Sequence, residues 1–290
     1  MSHRLALGTV QFGMQYGVAN TGGQIRFDDV RTILDKAGSA GLDTIDTAIG
    51  YGDSERRLGD LGVERWQVVS KLPSIPAFCT DIAGWVNESV RGSLTRLRIR
   101  QLRGLLLHDS RQLTGGSGAE LYRAIREIKE RGLVEKIGIS IYGVEELEAI
   151  WSRYSLDIVQ APFNIIDRRL ATSGWLGRLR GAGTEVHARS VFLQGLLLMD
   201  SHSRPPYFRR WQGLWKHWDT WLSVETLSPL RACLAFVSSH PEIDRVIVGV
   251  DNPVQFDEVV AGFGSVIPVP PNELASEDPD LINPSRWSVN

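Results

Sequence analysis

Eight times along this chain a short run rich in Val, Ile and Leu gives way to a stretch with helical character. That alternation limits the fold more than any other feature. The strand-like runs are residues 4–10, 42–48, 66–72, 103–109, 136–141, 157–162, 184–190 and 245–250. Helices are predicted at 28–40, from Asp53, at 81–98, 119–131 and 144–151, within 168–180, near 225–239, and at 253–261. In the fourth of these, Leu121, Ile125 and Ile128 fall on one face. Strands that are apolar throughout belong to a parallel sheet covered by helices. Eight such units are the number that closes a (β/α)8 TIM barrel. A doubly wound sheet would carry a G-x-G-x-x-G turn after its first strand, and Gly8-Thr9-Val10-Gln11-Phe12-Gly13 does not match. No linker, charge block or low-complexity stretch divides the chain, so residues 1–290 read as a single α/β barrel domain.

Two segments interrupt the rhythm. Residues 195–226 form a long excursion after the seventh strand, with Trp211, Trp215, Trp218 and Leu222 at near-helical spacing. The spacing predicts a helix with its aromatic face on the barrel; the location would also suit a lid over the mouth. The tail, residues 268–290, is rich in Pro, Asp and Asn and is predicted to run irregularly over the surface, pinned by Trp287. A formal charge of −2 offers no electrostatic footprint for nucleic acid or an anionic membrane. Cys79 and Cys233 stand in no metal or disulfide pattern, which fits a reducing compartment. The apolar run near the N-terminus is too short for a signal peptide and no later run reaches membrane-spanning length, so the cytoplasm is expected.

In a parallel barrel the C-terminal ends of the strands share one mouth. Asp46 ends the second strand, Tyr51 lies in the loop beyond it, Lys71 ends the third strand and His108 the fourth. A free phenol, with a pKa of about 10, is a poor proton donor near neutrality. A neighbouring ammonium would lower that value, and a carboxylate would hold the ammonium charged. A histidine can orient a substrate oxygen. Together the four describe a phenol that gives a proton to a carbonyl oxygen or takes one from an alcohol. They supply no hydride, so redox chemistry requires a cofactor.

The segments DTAIGYGDSERRLG, VVSKL, LLLHDS, IGISIYG, IVQAPFN, ARSVFLQGLL and IVGVDN resemble, in order, those of the aldo-keto reductase family. The resemblance implies a (β/α)8 barrel, a catalytic tetrad of Asp46, Tyr51, Lys71 and His108 with Tyr51 as acid–base, and hydride transfer from NADPH to a carbonyl. It also implies that Ser140 and Gln160 hold the nicotinamide carboxamide and that Ser190 lies beside the nicotinamide and pyrophosphate. Arg189 stands where relatives stack an aromatic ring on the nicotinamide, and Glu258 matches an acid that contacts adenine.

The departures from that pattern concern the cofactor. Gly249 and Gln255 occupy positions where relatives carry cations for the 2′-phosphate, and Asp251 has the opposite sign. Weakened NADPH preference is therefore expected, with NADH accepted, although the start of the last barrel helix could still offer backbone N–H groups to a phosphate. The extra charge of Arg189 is expected to disfavour oxidised cofactor, and Ile141 removes a polar carboxamide contact. Three other readings stand beside the reductase: a barrel with changed chemistry or a cofactor-sensing regulatory role, a Schiff-base lyase on Lys71, and a metal hydrolase on His108 and Asp109. The substrate pocket is assigned to residues 11–23, 110–118 and 195–226, with Phe12, Gln15, Tyr16, Arg204, Tyr207, Phe208, Arg209 and Trp211. Aromatic faces with polar edges suit a polar, sugar-like aldehyde or ketone, with room for an anionic group.

Overall fold

A computed structural model describes residues 4–288, and in it the eight predicted strands close a parallel barrel in sequence order, β1 pairing with β8. The strands are β1 Leu5–Gly8, β2 Thr44–Asp46, β3 Gln67–Leu72, β4 Leu102–Leu107, β5 Val134–Ser140, β6 Ile158–Pro162, β7 Glu185–Arg189 and β8 Arg245–Val248. The helices are α1 Val10–Gly13, α2 Phe27–Ser39, α3 Ser54–Leu61, α4 Ile82–Leu97, α5 Gly118–Glu130, α6 Val144–Ile150, α7 Arg169–Thr172, α8 Trp175–Gly181, α9 Gln212–Val224, α10 Pro229–Ser238, α11 Pro253–Gly262 and α12 Pro279–Ile282. Local chemistry fixes several of their starts. The Asp81 carboxylate accepts from Gly84 N at α4, and Ser228 caps α10 ahead of Pro229. The helix expected within 168–180 is split into α7 and α8 by Gly174, at φ +80°.

Alternate strand residues face the barrel axis. Val69, Leu106 and Ile158 form a small apolar plug there, separate from the larger core between sheet and helices. Glycines make room for it: a Cβ on Gly138 would lie 2.0 Å from the Ile158 carbonyl oxygen. Two residues towards the N-terminal end of the strands, the axis is ionic. Glu185 accepts from Arg103 at 2.8 Å and from Lys136 at 2.5 Å. These partners and His187 hold its carboxyl well below the usual carboxylate range, against the opposing pull of burial. A carboxyl whose pKa is lower folded than unfolded stabilises the fold above its unfolded value, near pH ~4.3, and loses that contribution as pH falls towards the folded value. Glu185→Gln should therefore lower stability by about 1–2 kcal/mol at pH 7 and flatten the loss of stability below pH ~4.3, read from urea unfolding across pH.

The excursion after β7 carries its aromatics inward. Trp215, Trp218, Trp221 and Leu222 are buried on α9, in line with the predicted aromatic face. The residues assigned to a substrate pocket in this segment do something else. Phe208 is buried, Tyr207 Oη donates to Asp280 O, Trp211 Nε1 donates to Asp278, and Arg204 pairs with Asp219. Tyr207 and Trp211 clamp the tail, because their polar edges find partners there, while Arg204 is tied to α9 through Asp219. The tail is more ordered than expected, with α12 and short 3-10 turns at Asn272–Leu274 and Pro284–Arg286. Trp287 does pin it, packing edge-on to Phe208 at 4.8 Å and donating to Leu281 O. The last two residues of the predicted tail lie outside the described residues.

Candidate active site

At the C-terminal end of the barrel, Asp46, Lys71, Ser140, Gln160 and Arg189 come from the last turns of five different strands. Lys71 Nζ donates to Asp46 Oδ1 at 2.5 Å and to Thr47 O at 3.0 Å. Its side chain is 1% exposed, so the ion pair is desolvated. Gln160 Nε2 donates to the other carboxylate oxygen, Oδ2, at 2.7 Å. Ser140 Oγ stands 3.4 Å from Gln160 Oε1. One buried chain thus runs Ser140–Gln160–Asp46–Lys71. The link from Gln160 to Asp46 was not foreseen, although the two side chains face the same axis at the same end of their strands. A lysine so enclosed has no approach for a carbonyl carbon, which removes the Schiff-base reading.

Tyr51 lies above this pair, with Lys71 Nζ 5.1 Å from its ring centroid and the His108 ring edge-on at 5.8 Å. Its loop is held tightly. Ser54 Oγ donates to Thr9 O, Thr9 Oγ1 donates to Asp46 O, and Ser54 N donates to Tyr51 O. Two glycines allow the β1 and β2 loops to touch. A Cβ on Gly13 would sit 1.7 Å from Tyr51 O, and Gly52, at φ +54°, would place one 2.2 Å from Gly13 O.

The electrostatics correct one expectation. Lys71 was expected to lower the pKa of the Tyr51 phenol; instead burial pushes it up, and the Asp46 charge pushes it further. The ammonium is neutralised by its carboxylate and lies under the ring face. The cation that opposes the rise is Arg189. Burial pulls Lys71 down while Asp46 holds it up. The His108 imidazole is pushed down to about 4, by burial first and then by Lys71, so it is neutral at physiological pH and can donate from one ring nitrogen.

Arg189 crosses the mouth from β7 to the end of β5. Nη2 donates to Ile141 O at 2.7 Å, Nη1 to Ser190 Oγ at 3.1 Å, and the guanidinium lies 4.5 Å over the Tyr142 ring. It has no ion pair among the described residues. The backbone that follows is unusual: Ser190, Leu193 and Gln194 all take positive φ. Non-glycine residues in that region carry strain that clusters at functional sites. Asn164, fully buried, props this segment by donating to Ser190 O while its own oxygen accepts from Ile166 N and Asp167 N. Sequence reasoning passed over Asn164; the signal was a lone amide straight after a buried strand.

The cofactor side can be tested for fit. The Gln160 oxygen and Ser140 hydroxyl form an acceptor and a donor suited to a carboxamide. Gln11 Oε1 is buried with no partner among the described residues, 2.5 Å from where a Cβ on Gly249 would stand. These groups suit a nicotinamide cofactor. The expected backbone donors for a phosphate are used up. Asn252 Oδ1 accepts from Val254 N and Gln255 N, Phe256 N donates to Asn252 O, and Pro253 has no N–H. Gln255 Oε1 accepts from Asp251 N, and Asp251 Oδ1 accepts from Asn20. Glu258 is exposed on α11 and touches none of the buried cluster.

Comparison with known proteins agrees with this geometry. The sequence model of the Aldo/keto reductase family matches residues 4–275. No curated protein sequence matches the chain. Among solved structures, PA4992 of Pseudomonas aeruginosa, named for the same family, is 25% identical with a TM-score of 0.66, covering 89% of this chain and 88% of that one. The aldo-keto reductase AKR11C1 from Bacillus halodurans, in its holo form, has a TM-score of 0.72 at 18% identity, over 92% and 88% of the two chains. The glycerol dehydrogenase AKR11B4 from Gluconobacter oxydans has a TM-score of 0.69 at 21% identity, over 91% and 88%. These last two likenesses speak to the fold. The family match spans the barrel from its first strand to the tail anchor, and the chain therefore belongs to the aldo/keto reductase family, as an oxidoreductase of that type.

Proposed function

We propose that the protein reduces the carbonyl of a small polar aldehyde or ketone in the cytoplasm, with Tyr51 delivering the proton. The observation that carries this reading is the desolvated Lys71–Asp46 pair beneath a phenol kept protonated by burial, beside a neutral imidazole. His108 donates a hydrogen bond to the substrate oxygen and orients it. Tyr51 Oη passes its proton to that oxygen as the carbonyl carbon is reduced, and the phenolate is reprotonated from solvent. The hydride comes from a reduced nicotinamide when that cofactor is bound. Ser140 and Gln160 hold the carboxamide, Arg189 and Ser190 flank the ring and pyrophosphate, and Glu258 faces the adenine side. Burial keeps Tyr51 protonated at neutral pH, the form that reduction uses, whereas oxidising an alcohol needs the phenolate, so reduction is the direction the resting site is set for. Titration of wild-type protein with reduced cofactor, followed by a panel of polar aldehydes and ketones, tests the reading; binding without turnover of any carbonyl would sink it.

The capped start of α11 carries the cofactor preference. A 2′-phosphate would meet no free helix N–H, no cation from Gly249 or Gln255, and the Asp251 carboxyl. NADH should bind at least as tightly as NADPH when the two dissociation constants are compared by fluorescence titration. A dissociation constant tenfold lower for NADPH would refute this.

The unpaired guanidinium of Arg189 should also penalise a positively charged nicotinamide. Arg189→Tyr is expected to shift the ratio of oxidised to reduced cofactor affinity on the order of tenfold towards the oxidised form. An unchanged ratio would remove Arg189 from this role.

A further inference from the structure

A second hollow lies on the outer wall of the barrel, lined by none of the mouth residues. Beyond α11 the chain runs as an irregular strap, residues 263–271, alongside α10. Phe263 N donates to Val259 O and Leu274 N to Pro271 O; between them no backbone amide of the strap donates to a backbone carbonyl among the described residues. Pro268, Pro270 and Pro271 have no amide to give. Val266 and Val269 turn outward, 91% and 90% exposed. The strap stands off α10 and leaves a half-open hollow of about 480 Å3. That falls within the ~300–1,000 Å3 range of small-molecule sites.

The lining is an apolar body with charge at its edge. Phe236, Phe263 and Ile267 supply the apolar part, and Arg4, Arg168 and His240 the polar part. Arg168 donates to the neutral carbonyls of Ile165 at 2.8 Å, Pro271 at 2.9 Å and Pro270 at 3.5 Å, and its guanidinium lies 5.4 Å from the Phe236 ring centroid. Arg4 likewise donates to Ile243 O, Ser238 O and His240 O. Arg168 forms no ion pair with a described carboxylate; Arg4 forms none either, but Asp244 and Glu242 lie near enough to act on its charge. Half-buried charge without a counter-ion is costly. For Arg168 burial alone acts on the group, and it lowers the pKa. Each guanidinium has more N–H donors than these carbonyls use.

We propose that this hollow binds a small amphipathic organic anion, an aromatic or aliphatic body bearing one carboxylate or sulfonate, at a site separate from the mouth. The body fills the space between Phe236 and the strap, and the anionic group takes the spare donors of Arg168 and Arg4. Charge complementarity selects an anion over a neutral amphiphile, and the loosely bonded strap gives it a way in.

Calorimetric titration with 8-anilinonaphthalene-1-sulfonate tests this on the full chain. Wild-type protein should bind one equivalent with an affinity that Ser239→Trp, which sets an indole on the wall of the hollow, weakens at least about tenfold. Arg168→Gln should weaken it about tenfold, and Arg168→Lys, which keeps the charge but not the fork, should stay within about threefold of wild type. Melting temperatures and reduced-cofactor affinity of the variants should match wild type. Absence of binding, or equal binding in wild type, Arg168→Gln and Ser239→Trp, would overturn the site. A loss in Arg168→Lys as large as in Arg168→Gln would assign Arg168 to clipping the strap and overturn the recognition of an anion.

Discussion

Tyr51→Phe should reduce turnover by about 10²–10⁴-fold and leave nicotinamide affinity and melting temperature unchanged. The phenol ring remains over Lys71 and edge-on to His108, so the packing survives. The hydroxyl has no hydrogen-bond partner among the described residues, so its removal orphans no buried group. Single-turnover absorbance with a reducible aldehyde separates the chemical step from binding, and a fluorescence titration reads the affinity. A variant that keeps more than a tenth of the wild-type rate would mean that another group, Lys71 or His108, delivers the proton.

Lys71→Met is expected to cost the fold about 3–5 kcal/mol and to abolish turnover. The substitution keeps the volume but leaves the Asp46 carboxylate buried with only Gln160 as a side-chain donor. Breaking one side of a desolvated pair costs more than removing both, because the surviving charge is left without its counter-charge. The double variant Asp46→Asn/Lys71→Met should therefore be more stable than the sum of the two single losses predicts, by at least about 1 kcal/mol, in urea unfolding at pH 7. Strict additivity would show that the pair contributes only through separate contacts with its surroundings.

Eight strands and their order could be read from the chain because most are short runs rich in Val, Ile and Leu that alternate with helical stretches; β7, Glu-Val-His-Ala-Arg, was legible mainly by its place in that alternation. The gathering of Asp46, Tyr51, Lys71 and His108 at one mouth was legible for a related reason. Strand ends converge in a closed barrel, so Asp46, Lys71 and His108 had to meet if the strands did. The electrostatics were not legible. A lysine near a tyrosine suggested a lowered phenol pKa, but Asp46 lies 2.5 Å from the ammonium and cancels its field, and the burial that raises the pKa is a property of the whole mouth. The aromatics of the excursion misled for the opposite reason. Tyr207, Phe208 and Trp211 have the composition of a pocket wall, and only their pairing with Asp278, Asp280 and Trp287 shows that they clamp the tail. The Asn252–Pro253 pair did carry its message in sequence, as a capping asparagine ahead of a first-turn proline, and it closes the phosphate route that the helix start had left open.

The glycine contact between the β1 and β2 loops bears on how this enzyme could be retrained for other substrates. With Gly13 against the Tyr51 carbonyl and Gly52 against Gly13, the proposed proton donor, Tyr51, is mounted on a rigid jig whose parts admit no side chain. Variation near the donor would misalign it before it widened the pocket. Tyr16 and Tyr142 are each 38% exposed and lie within electrostatic reach of Tyr51. They can change shape and polarity without touching that mount. A directed-evolution library confined to these two positions should yield altered substrate range with the chemical step intact, while one that includes Gly13 and Gly52 should yield mostly inactive clones.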